Sequence, residues 1–445
     1  MQHVKHNLQP DLFDGLAEAR YYHDPKRFGT FAILRDDPTR KKKVQRTYPL
    51  RELAQVIDSL DPNTDTWISQ GEFKGFNRRV VNLLRTGVIF ADLDYYYTPF
   101  SSYDPEAMAW AVVQRCHDEG LPIPSVVLFS GRGLQVKWLL DDPIPGRALP
   151  RWNAVQQALG AALADMGADP SARDASRVLR LCGTVNTKTQ EYARVVYVNG
   201  SMHAPTAYSF DEFADSVLPL TRDELQQKRE ARQARRERLI LIEGHRQGPL
   251  KGLHGGQLAW DRMHDLKRLA ELRGGLQEGE RMTFLLWQMN FAFLSGQIHP
   301  SQSWYEAKSL AASIDPSWNM PIGDLSTLYA KAKAHQRGER IELNGREYTP
   351  LYTPKNQTLI EIFRITPDEE RQLRTIVSEG ESLRRHRERE KARRRAQGAQ
   401  SREEYLKATA SRKTQARALR EQGLSIRKIA TAMETSVSQV QRLLR

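Results

Sequence analysis

A chain of 445 residues, 40% hydrophobic, is long enough for two to four domains, and its net charge of +13 favours a polyanionic partner such as nucleic acid. No run of about eighteen apolar residues occurs, so neither a membrane-spanning helix nor a membrane partner is expected. The opening residues lack the apolar core of a secretion signal, and two cysteines, Cys116 and Cys182, cannot build a structural zinc cluster; the cytoplasm is the expected compartment.

The first 215 residues read as mixed α and β. Strands are predicted at 30–34, 66–69, 88–93, 125–129, 134–140 and 193–198, and an amphipathic helix at 151–166, where Trp152, Val155, Leu159, Leu163 and Met166 recur at helical spacing. Residues 216–249 read as a linker whose core, 221–238, is a helix charged on every side. The region 250–345 reads as all-helical, with buried helices opening near Gly279 and spanning 304–314 and 325–334. Asn344-Gly345 marks a hairpin within 340–348. Residues 346–400 form a basic helical segment. Thr366-Pro-Asp-Glu369 matches a capping box with proline at the first helical position, starting a helix expected to run into the Arg-rich stretch. The positive charge is concentrated here. Residues 384–395 hold eight Lys or Arg against two Glu, and residues 411–445 again eight against two. A solvated basic helix of this kind touches phosphates without reading sequence.

Chemistry concentrates in the first region. In Gly87-Val-Ile-Phe-Ala-Asp92-Leu-Asp94-Tyr, strand alternation puts Phe90, Asp92 and Asp94 on one face. Two carboxylates on one face repel each other unless a cation sits between them, and oxygen ligands suit Mg²⁺ or Mn²⁺. Asp residues that cap a turn would give the same pattern. Ser130-Gly131-Arg132-Gly133 is a tight turn whose amides and Arg132 suit phosphate. In the strand after it, Gln135 and Lys137 share a polar face. Either Asp169 or Asp174 could complete a carboxylate set, and either could instead cap a helix. Ser176-Arg177-Val-Leu-Arg180-Leu-Cys-Gly183-Thr184-Val-Asn186-Thr-Lys188 gathers Arg177, Arg180, Asn186 and Lys188 around a Gly-Thr turn.

The order Asp-x-Asp, then Ser-Gly-x-Gly, then Asp, then Arg-x-x-Arg-Leu-x-Gly-Thr-x-Asn-x-Lys is similar to the archaeo-eukaryotic primase superfamily. It most resembles the RepB-type replication primases of plasmids and other mobile elements, over roughly residues 20–200. The resemblance implies an α+β fold: an RRM-like catalytic core with a mixed sheet, followed by a helical domain. It implies a DNA primase, a nucleotidyltransferase that makes primers on single-stranded DNA by two-metal-ion catalysis, with Mg²⁺ or Mn²⁺ and nucleoside triphosphates. Asp92, Asp94 and Asp169 would be the catalytic metal ligands, with Asp174 in reserve. Ser130, Arg132, Gln135, Lys137, Arg177, Arg180, Asn186 and Lys188 would contact nucleotide or template, and a replicative helicase is a further partner it allows. Two positions depart from the family pattern: Gln135 stands where a histidine is usual, and Cys182 where proline is usual. The first keeps open a non-catalytic origin-binding protein that retains the fold. A relaxase would use Tyr95-Tyr96-Tyr97 as nucleophiles, but the His-hydrophobic-His strand it needs is missing.

Residues 401–445 predict three helices, with a glycine stop at Gly423, an N-cap at Ser425 and a shared core of Leu419, Leu424, Ile426, Ile429, Ala430, Val437, Val440 and Leu443. The pattern resembles the helix-turn-helix of resolvases. That implies duplex DNA binding by Arg427, Lys428, Ser436, Ser438, Gln439, Gln441 and Arg442. A helical protein-interaction tail is the alternative.

Overall fold

The computed structural model describes residues 15–37, 42–219, 253–343, 346–396 and 402–444; most of the expected linker and Asn344-Gly345 lie outside them. The chain divides into two compact units. The first extends to Lys355 and includes Leu373–Thr375; the second comprises Asn356–Gln372 and Ile376 onward. The fold is α+β, the class expected from the sequence.

The first unit is built on a ten-stranded mixed sheet. Strand β1 (Thr30–Asp37) pairs along its whole length with β2 (Lys42–Pro49), a charged strand that the apolar pattern does not predict. It forms because Asp36 and Asp37 lie opposite Lys43 and Lys42, and opposite charges across a pair are favourable. On its other side β1 meets β3 (Thr66–Ser69) and β4 (Gly71–Phe73), one run interrupted at Gln70. There the run forks: β3 pairs with β8 (Val178–Arg180), and β4 with β5 (Leu83–Leu93). Strand β5 then pairs with β7 (Leu134–Pro145), and β7 with β6 (Val126–Phe129). The strand Arg194–Val198 completes the antiparallel order beyond β6, and Ala207–Tyr208 joins β7 in parallel.

Helix α1 (Gly15–Arg20) precedes the sheet. Helix α2 (Leu53–Asp58) follows β2. Asp104 accepts a hydrogen bond from Ala107 N and caps α3 (Pro105–Asp118), with Pro105 in its first turn. Helix α4 (Leu149–Ala162) buries Trp152, whose ring meets Phe90 edge-on and whose Nε1 donates to Val88 O. It ends four residues short of the predicted 166, and Gly167 follows at φ 90°. A Cβ there would lie 2.8 Å from the Asp94 carbonyl carbon, so only glycine lets this turn approach the end of β5.

Four helices follow at Leu253–Leu272, Arg281–Leu294, Ser303–Ile314 and Ser326–Gln336, then a short hairpin. They dock on main-chain atoms of the sheet region. The Glu306 carboxylate accepts from Val80 N and Val81 N, Lys267 Nζ donates to Val81 O, and Trp260 Nε1 donates to Gly146 O.

In the second unit the Thr366–Glu369 capping box is reciprocal: Glu369 N donates to Thr366 Oγ1, and Thr366 N donates to Glu369 Oε2. Its helix stops at Gln372, and the Arg-rich helix Glu379–Ala396 begins anew, contrary to the single helix expected. Helices Arg402–Glu421, Ile426–Ala432 and Val437–Leu444 share a core of Ile429, Ala430 and Val440 flanked by Leu419, Leu424 and Ile426. Val437, expected inside, is 40% exposed. Among the described residues no helix is long and apolar enough to cross a membrane.

Candidate active site

A cleft of about 550 Å³ opens beside the fork between β5 and β8. Asp92, Asp94 and Tyr96 line it from β5 and the turn that follows; Ser130, Arg132 and Gln135 line it from the β6–β7 hairpin. Asp174, Arg177, Arg180, Asn186 and Lys188 line it too, together with residues outside the predicted motifs, among them Lys43, Trp67, Arg78 and Arg79. Of the twelve candidate residues in the first domain, only Asp169 and Lys137 stand outside this lining.

The register explains the floor. Asp92 lies opposite Gln135 and Phe90 opposite Lys137, so these four side chains leave one face of the sheet. Asp94 ends the strand and accepts from the Tyr96 hydroxyl at 2.7 Å. Burial pushes the Asp92 carboxyl up to about 6; Arg177 opposes the rise, and Asp94 and Asp169 reinforce it.

Several candidates are committed elsewhere. Lys137 is 1% exposed, and its Nζ donates to Glu18 of α1 at 2.5 Å, so it is not open to a triphosphate. Gln135 is 3% exposed: with its amide turned so that both groups are satisfied, Oε1 accepts from Arg180 N at 2.8 Å and Nε2 donates to Arg180 O at 3.3 Å. The residue at the expected histidine position thus clasps β7 to β8. Arg180 donates to Asp65 Oδ1 at 2.5 Å and to Val185 O, while Asp65 also accepts from Thr187, so this pair braces the Gly-Thr turn. Asn186 donates to Ser130 O and joins the two glycine turns. The Ser130 hydroxyl closes its own turn by donating to Gly133 O. Arg177 leans on Asp169 at 3.3 Å, and Lys188 is exposed at the cleft.

The expected three-carboxylate set is not assembled. Asp169 N donates to Asp92 O, but the Asp169 carboxylate accepts from Ser171 and Arg177. Asp174 accepts from Ser176 N and Oγ. Among the described residues no three His, Cys, Asp or Glu side chains come together to hold a metal. Asp92 and Asp94 still fit Mg²⁺, which is commonly held by one or two carboxylates and completes its shell with water and substrate phosphates.

Arg427, Lys428, Ser436, Ser438, Gln439, Gln441 and Arg442 are all exposed on the last two helices, and Ser436 accepts from Gln439 N.

No known family profile matches the chain. It is 27% identical over 347 residues to a replication protein of Clostridium perfringens, covering 78% of this chain and 76% of that protein. Among solved structures, primase RepB′ overlaps with a TM-score of 0.30 at 13% identity, covering 73% of this chain and 99% of that one. The primase-polymerase domain of cyanophage S-2L overlaps with a TM-score of 0.32 at 22% identity, covering 43% and 91%. Overlaps this loose decide nothing about activity. The motif resemblance to RepB-type primases and the similarity to a named replication protein point the same way.

Proposed function

We propose that the first unit is a DNA primase, a template-directed nucleotidyltransferase that makes primers on single-stranded DNA for replication of a plasmid or other mobile element. The observation that carries this reading is the cleft itself. It holds two half-buried carboxylates, Asp92 and Asp94, two residues apart at the end of one strand, set beside Arg177 and Lys188. Asp92 and Asp94 would hold Mg²⁺ or Mn²⁺. When bound, such a metal stabilises charge developing on phosphoryl oxygens and activates the attacking hydroxyl. Lys188 and Arg177 would hold the triphosphate, while the Asp65–Arg180 pair and the Gln135 clasp would keep the opposite wall in place. The last three helices would bind duplex DNA through Arg427, Lys428, Ser436, Ser438, Gln439, Gln441 and Arg442.

Incubation with single-stranded DNA, labelled nucleotides and Mg²⁺ or Mn²⁺ tests the reading. Template-dependent products are expected from the native protein and none from Asp92→Asn; a native protein without products rejects it. Removing residues 401–445 should spare priming on naked single strands and weaken duplex binding. Full site preference after truncation would make the tail an interaction module. A non-catalytic origin-binding protein is the second reading, favoured by the engagement of Gln135 with Arg180. Duplex binding without any primer synthesis would select it.

A further inference from the structure

Tyr95-Tyr96-Tyr97 has no part in the reading above beyond its place after Asp94. Tyr95 is buried, Tyr96 lines the cleft, and Tyr97 is 77% exposed. Its ring centroid lies 4.4 Å from that of Tyr96. The Arg132 guanidinium lies 3.9 Å from the Tyr96 ring centroid and 5.6 Å from that of Tyr97, and Nη2 reaches the Tyr97 hydroxyl at 3.4 Å. Arg132 is set at the tip of a pinned turn. A Cβ at Gly133 would collide with Leu93 O, and Gly131 takes φ 85° against Asn186. The arginine expected to seek phosphate therefore lies across the tyrosine pair, at the edge of the cleft that holds Asp92 and Asp94.

We propose that Tyr97, backed by Tyr96 and Arg132, is a stacking platform for a base of single-stranded DNA entering the cleft. This deepens the primase reading and rests on it for its location. An exposed ring braced by a second, tilted ring and a guanidinium is preorganised, so a base can lie on its face without ordering a side chain. Stacking of this kind tolerates any sequence, since every base has a π-face. That suits an enzyme that must copy whatever template it meets. Tyr96 is tied to Asp94 through its hydroxyl, so the platform stands at a fixed place relative to the carboxylates.

The test is equilibrium binding of a short oligothymidylate to the full chain at fixed ionic strength, without divalent metal or nucleotides. Tyr97→Ala should weaken binding about tenfold, Tyr97→Trp should retain it, and Arg132→Lys should weaken it because the planar guanidinium is lost. On an oligomer of abasic residues, native and Tyr97→Ala proteins should bind alike. Native affinity in Tyr97→Ala, loss in Tyr97→Trp, or a difference that persists on the abasic strand would each overturn the platform. Neither metal nor nucleotide enters this measurement. A failure of primer synthesis would sink the functional reading and leave the platform result standing.

Discussion

In the sheet region several ion pairs are mostly out of water: Lys137 with Glu18, Arg180 with Asp65, Arg85 with Glu72. Along Glu379–Ala396 no residue is buried, and Arg384, Arg385 and Arg393 pair with glutamates of their own helix, Arg384 with both Glu381 and Glu388. The first arrangement gives each charge one partner and one place, so removing one strands the other in a dry site. The second leaves charges interchangeable, worth little singly and screened by salt. Substitutions should therefore have sharp, individual effects in the first region and shallow, additive ones in the second.

The largest effect that would sharpen this contrast is on turnover. Asp92→Ala or Asp94→Ala should lower primer synthesis by at least about a hundredfold with the fold intact by circular dichroism. Full activity in both variants would break the assignment of the cleft. Next comes Lys137→Ala, which leaves Glu18 charged and buried; chemical denaturation should show a loss of about 3–5 kcal/mol. Joint replacement by apolar residues, Glu18→Leu with Lys137→Met, should recover much of it.

Gln135→His is expected to cost about 1–3 kcal/mol, since the two imidazole nitrogens point apart and cannot meet Arg180 N and Arg180 O side by side as the amide does. Unchanged stability would show that the clasp between β7 and β8 is dispensable. In the basic helix, single Arg→Ala changes between 384 and 395 should lower duplex or single-strand affinity mildly. Each should reduce the salt slope by about one. A single substitution that abolishes binding there would contradict the interchangeability.

The smallest effect concerns pH. Burial raises the Glu306 carboxyl to about 7 from an ordinary 4.5, so folding favours its protonated form. Its contribution is fully present below about pH 4.5 and is lost as pH rises through about 7. Melting temperatures of the native protein should fall relative to Glu306→Gln across that window; parallel curves would exclude the linkage.

Much of the cleft was legible because its chemistry sits in contiguous motifs. Asp92 and Asp94, the Ser130–Gly133 turn and the run from Arg177 to Lys188 each announce a polar loop or strand end, and all three line one wall or another. The reverse holds for Lys137 and Gln135. Alternation placed them on one face, but the partner of Lys137 is 119 residues away in a helix with no signature of its own. The partner of Gln135 is main chain, which no side-chain pattern reports. β2 escaped for a similar reason: its residues read as solvated until the opposing aspartates are known. At the C-terminus, Ser425 and the helices around it follow local rules and were legible, whereas Val437 was misplaced because helical spacing alone does not fix which edge of an apolar stripe faces inward.

The docking of the four helices on the sheet region has an evolutionary corollary. Glu306, Lys267 and Trp260 grip amide and carbonyl groups of Val80, Val81 and Gly146, and those groups are supplied by any residue other than proline. The gripping side needs its particular side chains; the gripped side gives this contact only backbone, although Val80 and Val81 are themselves buried. Divergent relatives should therefore keep an acid, a long cation and an indole on the helices while positions 80 and 81 drift among apolar residues, and covariation between the two sides should be weak even though the contact is close.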